Sequence, residues 1–437
     1  MIAAPLQISP PPAVSQRPRK RILVGAYAIS PARGSEPGVG WQICSRLAQF
    51  HDVTVLCSPG VPGPDANCSR DEISQHVARH GAIDGLTLKF VEPPPLSWLF
   101  QRETMLCRRT LYYTGAAAWQ RAAYSIAADL HVDQPFDLVH HLNITGYREP
   151  GYLWKLNAPF VWGPIGGASN YPAKYFDLLS RKERLFYAIR NWTNGWQKSS
   201  RRCRAAAAKA DHIWAISDAD ADMVRRQWGH PAQQMLETGT TRRPQGSVRD
   251  YDANRPLRVV WSGKHIGRKA LPILLHALAG LKNRNSVELT VVGDGPETTH
   301  WKSLAQSLGL TAIRWTGHVS QELALKEMST ADLLAFTSVM EGTPHVVLEA
   351  LSLGVPIVCH DACGMGIAVT DDCGIRIPLQ DSAASFAGFG DAIARLAASP
   401  AELVRLSQGA LRRADDLSWD GKVDQMLQVY DQVLAAA

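Results

Sequence analysis

Cysteine is sparse and unpatterned: the chain has eight, at positions 44, 57, 68, 107, 203, 359, 363 and 373, and no two make a C-x-x-C pair. That spacing excludes a zinc-ribbon site or a disulfide framework, and reduced thiols in a cytosolic protein are the expectation. Long apolar runs are absent, with no stretch reaching the ~18 residues of a membrane span. No repeat recurs at a fixed period. Neither charge sign dominates: 46 lysines and arginines against 40 acids leave +6, so the chain as a whole lacks the basicity of a nucleic-acid binder. A content of 46% hydrophobic and 20% charged residues excludes disordered and fibrous classes. In MIAAPLQISPPPAVSQRPRKR the basic residues follow the weakly apolar part, the reverse of a signal peptide, and the prolines suggest a disordered lead-in over residues 1–20.

The small excess of positive charge is unevenly placed. Between Tyr171 and Ala210 ten cations face two acids, a local +8, so the remainder of the chain carries −2. A local patch of this kind suits a local anionic partner, such as a membrane surface or a phosphate-bearing substrate. Trp192, Trp196, Phe186, Tyr187 and Leu185 are interleaved with its arginines. A solvated or buried helix face accounts for this pattern, as does a helix lying in a membrane interface. The stretch LSWLFQRETMLCRRTLYYTGAAAWQR has the same character.

At 437 residues the chain exceeds the ~250 to 300 residues that one core organises, so two domains are expected. RILVGAYAI, the loop SPARGSEPGVG, a helix from WQICSRLAQF and then HDVTVLCS give the strand, loop, helix, strand rhythm of a parallel βαβ unit. FDLVHHL, APFVWGPIGG and ADHIWAIS continue it. The text from Thr238 to Pro256 is polar and rich in turn formers, and the rhythm restarts at LRVVWSG. The expected organisation is an N-terminal acceptor-side α/β domain over 21–243, a linker over 244–256, and a C-terminal nucleotide-sugar-binding α/β domain over 257–412. A C-terminal helix is expected over 413–437, with a return to the first domain as one reading of it, and the tail from Pro400 reads as two amphipathic helices. Helices are also expected from about Lys269 to Leu281 and within HVVLEALSLG.

Ligands of open α/β sheets sit at the carboxyl ends of strands, so polar groups just after apolar runs are the candidates. After DLLAFTS comes SVMEGTPHVVLEALSLGVPIV, with Glu341 in a loop and Glu349 eight residues on. If both lay on one helix they would share a face roughly 12 Å apart. The N–H groups of that helix's first turn would add a positive dipole for phosphate.

This arrangement resembles the E-x7-E motif of the retaining glycosyltransferases of family 4. WSGKHIGRKALPILLHAL is similar to that family's G-R-x4-K segment, VELTVVGDGPE to its strand and glycine turn, and AIRWTGHVSQELALKEMSTADLLAFTS to the run leading to the glutamates. The resemblance covers the C-terminal domain and extends more loosely through SEPGVGW, HDVTVL, FDLVHH and ADHIWAIS. It implies a GT-B fold, two Rossmann-like doubly wound parallel-sheet α/β domains facing across a cleft. The implied activity is transfer of a hexosyl group, with retention, from a nucleotide-diphosphate sugar to a glycan acceptor. Exopolysaccharide or cell-envelope glycan synthesis is the expected setting and the cytoplasm the expected location; the basic and aromatic composition, not the resemblance, adds a lipid-linked acceptor and a peripheral place on the cytoplasmic face of the membrane as alternatives. Glu349 would bind the ribose hydroxyls and Glu341 would lie beside the transferred sugar. Lys264 and Lys269 would neutralise the diphosphate, and the loop carrying Gly342, Thr343 and His345 would meet sugar and phosphate. His345 also reads simply as a helix-start residue.

Departures from the family pattern are Lys264 in place of arginine, a point charge instead of a bidentate fork, and Ala270 in place of a glycine, a change expected to be harmless. Gly38 and Gly40 fall between strand and helix, where small residues admit a phosphate or the acceptor. His140 and His141 end FDLVHH, and strand alternation lets only one face a ligand, with His140 favoured. Asp218, Asp220 and Asp222 formally spell the metal-binding D-x-D of another fold, but Ser217 as N-cap with acids in the first turn accounts for them. No metal or other cofactor is expected beyond the nucleotide-sugar co-substrate. The rival readings are another GT-B nucleotide-sugar enzyme, inverting or an epimerase, and a non-catalytic donor-binding subunit of the same fold.

Overall fold

A computed structural model describes residues 18–60, 69–93, 110–143, 146–241, 243, 245–252 and 254–437. The lead-in up to residue 17 and residues 96–109 of the second basic-aromatic stretch lie outside the described residues. Among the described residues thirteen strands are formed: β1 (Arg21–Gly25), β2 (Asp52–Cys57), β3 (Leu86–Phe90), β4 (Leu138–His141), β5 (Phe160–Ile165), β6 (His212–Ala215), β7 (Gln233–Gln234), β8 (Leu257–Ser262), β9 (Val287–Val292), β10 (Ile313–Gly317), β11 (Leu333–Phe336), β12 (Ile357–His360) and β13 (Gly374–Ile377). They build a seven-stranded sheet ordered β3-β2-β1-β4-β5-β6-β7 and a six-stranded sheet ordered β10-β9-β8-β11-β12-β13. In the second sheet all five neighbouring pairs are parallel. In the first, β1 pairs in parallel with β2 and β4, β2 with β3, and β6 with β7.

The apolar runs of the second sheet are continuous because both its faces are covered. Val259 and Trp261 pack into one core cluster with Leu333, Ala335 and Val358. Their neighbours Val260, Leu334, Phe336, Ile357 and Cys359 pack into another. Alternate side chains of a strand point to opposite faces, so the central residues Val259–Trp261, Leu333–Phe336 and Ile357–Cys359 are apolar at every step.

By compactness the chain divides into two units. One contains the described residues up to Leu142 with Gly151–Val161 and Leu427–Ala437; the other contains Asn143–Pro150 and Trp162–Met426. The expected linker, which follows β7 and precedes β8, lies inside the second of these. The tail forms the two helices Pro400–Asp416 and Trp419–Ala436.

Two boundaries differ from the sequence expectation. The glycine segment after β1 is not all loop, since a helix runs from Ser35 to Leu47 and already includes Gly38 and Gly40. Pro37 sits in its first turn, where a missing N–H breaks no helical bond. The helix expected from Lys269 instead spans Leu271–Ala279, after a tight turn over Gly267–Lys269. Pro272 fits the first turn, and Ala270 before it takes the left-handed conformation, φ 47°. The replacement of glycine at 270 is therefore not free: that conformation costs a β-carbon about 1–2 kcal/mol. Burial of the alanine methyl offsets about 0.8 kcal/mol.

Candidate active site

Strand order reverses in the second sheet between β8 and β11, and at such a switch point the loops after the carboxyl ends diverge and leave a crevice. Two loops meet there. The one after β8 runs through Gly263 to Lys269, and the one after β11 through Thr337 to Pro344. Val339 N–H donates to the Arg268 carbonyl at 3.0 Å, the Thr337 hydroxyl donates to the Lys269 carbonyl at 2.9 Å, and the Ser338 hydroxyl donates to Arg268 O at 3.1 Å. Thr337 itself accepts from the Trp261 indole at 3.0 Å, which ties the loop to the core. On the other side lies the glycine turn after β9, where Gly293 has φ 113° and a Cβ would stand 2.2 Å from Gly263 O. Only glycine allows these two backbones to touch.

Glu341 projects into this junction. Its Oε2 receives Lys269 Nζ directly and Arg268 Nη1 at 2.8 Å. The Lys269 and Glu341 side chains are only 11% and 12% exposed. Burial pushes the Glu341 carboxyl up, but the charges of Lys269 and Arg268 outweigh it and hold the group below the usual carboxylate range. Burial pushes Lys269 down, with Glu341 pulling the other way. Two cations on one carboxylate leave the cluster net positive, and the exposed Lys264 adds a third cation to the same loop. Arg268 escaped the sequence reading, although it adjoins Lys269, because the family pattern marks only the two flanking positions.

Glu341 precedes the helix His345–Ser352, so the two-turn spacing to Glu349 does not apply; Glu341 is a loop residue and Glu349 a helical one. Glu349 accepts from the Gln321 side-chain amide at 2.9 Å. Its carboxyl is raised, mainly by burial, against that hydrogen bond and the charge of Arg243. Pro344 is the N-cap and gives the helix no side-chain cap, so its first turn keeps its dipole toward the loop. Thr343 accepts from Glu237 N–H at 2.9 Å. The His345 imidazole is lowered by burial, with Glu341 opposing and Lys269 reinforcing. Gly342 is pressed by Gly364, on which a Cβ would lie 2.2 Å from Gly342 O. The structure thus joins Lys269 to Glu341 and sets Gly342, Thr343, His345 and Glu349 along the next eight residues.

His140, Gly38 and Gly40 belong to the first unit, at its own switch point between β1 and β4. His140 is fully buried, its Nδ1 2.6 Å from the Tyr430 hydroxyl, so its ring is held in the interior of that unit. His141 is also buried, beside Gly25 and Gly151. A Cβ on Gly38 would meet Arg33 O at 2.4 Å, which makes the glycine a packing requirement of the helix start. The three aspartates diverge. Ser217 caps the helix Asp218–Met223; Asp220 is buried and accepts from Ala168 N–H, Asp222 pairs with Arg225 and Asp218 meets Gln234.

Residues 256–399 match the family model described as Glycosyl transferases group 1. Over 189 residues the chain is 33% identical to a D-inositol 3-phosphate glycosyltransferase of Salinispora arenicola, covering 41% of this chain and 42% of that protein, so this match spans less than half of the relative. An MMP alpha-(1->4)-mannosyltransferase of Mycolicibacterium hassiacum is 27% identical over 430 residues, 95% of this chain and 98% of the relative. Among solved structures, the sucrose-phosphate synthase of Thermosynechococcus elongatus aligns with a TM-score of 0.64 at 19% identity, covering 96% of this chain and 100% of that one, a likeness of fold. Residues 256–399 are therefore a group 1 glycosyl transferase domain, in a chain with the two parallel-sheet α/β folds of GT-B glycosyltransferases.

Proposed function

We propose that the chain is a retaining hexosyltransferase of glycosyltransferase family 4, which moves a sugar from a nucleotide-diphosphate donor to a glycan or lipid-linked acceptor. Its setting is exopolysaccharide or envelope glycan synthesis at the cytoplasmic face of a membrane. The observation that carries this reading is the convergence of Lys269 and Arg268 on Glu341, one loop before the uncapped helix that bears Glu349. A departing nucleoside diphosphate gathers negative charge, and fixed cations with a helix N-terminus stabilise that charge as it develops. Lys269 and Arg268 are held rigid by Glu341 and by backbone bonds, so they need little reorganisation; Lys264, exposed, adds long-range attraction. Glu349 binds the ribose hydroxyls and Glu341 lies beside the sugar. With that much fixed positive charge the reaction proceeds without a divalent metal.

The full-length relative is named for an alpha-linked mannosyl transfer, so mannosyl donors head the panel to be tried. Purified protein incubated with nucleoside-diphosphate hexoses and glycan acceptors should release nucleoside diphosphate, with chelator present, and proton NMR of the first product should show the anomeric configuration of the donor. An inverted product would assign the chain to an inverting GT-B enzyme, and activity that vanishes with chelator and returns with manganese would refute metal independence. Donor binding with neither transfer nor hydrolysis would leave a donor-binding subunit.

A further inference from the structure

The basic segment resolves into the helices Arg181–Gln197 and Arg201–Lys209, and the first of these has an unusual outer face. Its inner face is anchored by polar bonds. Asn194, fully buried, donates to Ala168 O at 2.9 Å and to Asn170 at 2.7 Å and accepts from Tyr147 at 2.8 Å; Asn191 donates to Tyr171 O at 2.8 Å. In the first turn Glu183 accepts from Gly267 N–H at 2.8 Å. On the opposite face Leu185, Ile189, Trp192 and Trp196 are 64%, 53%, 77% and 79% exposed. At 3.6 residues per turn these four fall within an arc of about 60°. They are half of the eight exposed large hydrophobic side chains among the described residues. A continuous apolar stripe on an otherwise polar surface marks a binding face.

The surrounding charge identifies the occupant. Arg181 and Lys182 are exposed at one end of the stripe, and Arg201 and Arg204 at the other. Arg202 is not part of this rim, because it pairs with the buried Glu149, and Arg190 is turned to Ser169 O. An apolar stripe with tryptophans, bounded at both ends by cations, matches the interface of a bilayer with anionic headgroups. A second copy of the chain would bring two positive rims together, which opposes association. Among the described residues no helix is long and apolar enough to cross a membrane.

We propose that the helix Arg181–Gln197 lies in the plane of an anionic membrane surface, with Leu185, Ile189, Trp192 and Trp196 inserted among the lipids and Arg181, Lys182, Arg201 and Arg204 on the headgroups. This surface is separate from the cluster at Glu341, and its test needs no substrate. The full chain is sedimented with vesicles of phosphatidylcholine alone or mixed with phosphatidylglycerol, at low and high salt, and its tryptophan fluorescence is measured against brominated lipid. Binding should require phosphatidylglycerol and weaken in high salt, with brominated lipid quenching a fraction of the emission that is lost in Trp192→Ser/Trp196→Ser. Each lysine or arginine at such a surface contributes about fivefold to partitioning, so changing all four rim cations to glutamine should lower it about 600-fold. Circular dichroism checks the fold of the variants, and the quenching of the unaltered chain tests insertion if a variant is unstable. Absence of binding, binding indifferent to lipid charge, or binding without quenching overturns the proposal. So does a dimer of the unaltered chain that Trp192→Ser/Trp196→Ser abolishes.

Discussion

Replacing Glu341 by glutamine tests the cationic cluster most directly. The carboxylate is the shared partner of Lys269 and Arg268, and Lys269 is nearly enclosed, while Arg268 is 29% exposed. Removing one member of a buried pair costs about 3–5 kcal/mol, because the charge left behind stays desolvated. The partial exposure of Arg268 lets water take up some of its charge, which puts the expected loss at the low end, about 3 kcal/mol. Each kcal/mol moves the melting temperature of a folding unit of about 150–250 residues by about 2–4 °C, and the unit that holds Glu341 is larger, so Glu341→Gln should melt at the low end, about 6 °C lower. A bound diphosphate supplies the missing negative charge, so nucleoside diphosphates should raise the melting temperature of the variant more than that of the unaltered protein. The pH dependence has a definite sign. The Glu341 carboxyl is depressed in the folded state, so its contribution is present above the ordinary carboxylate range and is lost as pH falls through the depressed value. The two proteins should therefore converge in acid. Differential scanning fluorimetry with and without nucleoside diphosphate, from neutral to acid pH, measures all three effects. An unchanged melting temperature at neutral pH, or a deficit that ignores both pH and diphosphate, would refute the cluster as an electrostatic unit.

Two further outcomes follow from the same geometry. The Glu349 carboxyl is raised by burial, so in the folded protein its protonated form is favoured below that value and this contribution is lost as pH rises through it. If the ionised carboxylate accepts the ribose hydroxyls, nucleoside diphosphate affinity should increase as pH rises through the same range, and Glu349→Gln should flatten the profile; titration calorimetry across pH decides it. Glu183→Ala removes the acceptor of Gly267 N–H, a bond to a charged group worth about 1.5–3 kcal/mol. It should weaken donor binding severalfold in the same calorimetric assay, and equal affinity would remove Glu183 as a support of the donor loop.

Much of the fold was legible because a sheet covered on both faces is written in apolar runs, and Val259–Trp261 of β8, all of β11 and Ile357–Cys359 of β12 are such runs. The boundaries were less legible. Gly38 and Gly40 read as a loop, yet the chain is helical from Ser35 because Pro37 is admissible in a first turn. Lys269 and Glu341 were legible through ordered motifs around them, and the structure adds what motifs lack, which is the partner. Gln321 reaches Glu349 from 28 residues away and Glu183 reaches Gly267 from 84. Such pairings are decided by the packing of whole elements, and no local pattern encodes them. The aromatic and basic content of Tyr171–Ala210 was equally visible, but composition cannot separate an inner from an outer face. The spacing of Leu185, Ile189, Trp192 and Trp196 is that of any core stripe; the polar anchoring by Asn191 and Asn194, together with Tyr187 packed into the core, turns it outward.

That anchoring also links two parts of the chain that the sequence keeps apart. Glu183, Tyr187 and Asn194 stand on the inner face of the helix whose outer face carries the apolar stripe. Glu183 holds the backbone of the loop that presents Arg268 and Lys269 to Glu341. A helix is stiff along its axis, so a surface that holds its outer face restrains the inner one, and ordering of the Gly267–Lys269 turn would no longer rest on the protein alone. On this argument anionic vesicles should lower the donor concentration needed for half-maximal nucleotide release by the unaltered protein. Glu183→Ala, which cuts the link but leaves the stripe and its cations in place, should still bind the vesicles and lose that response. If the vesicles act equally on both proteins, the helix serves only as an anchor and the turn is ordered without it.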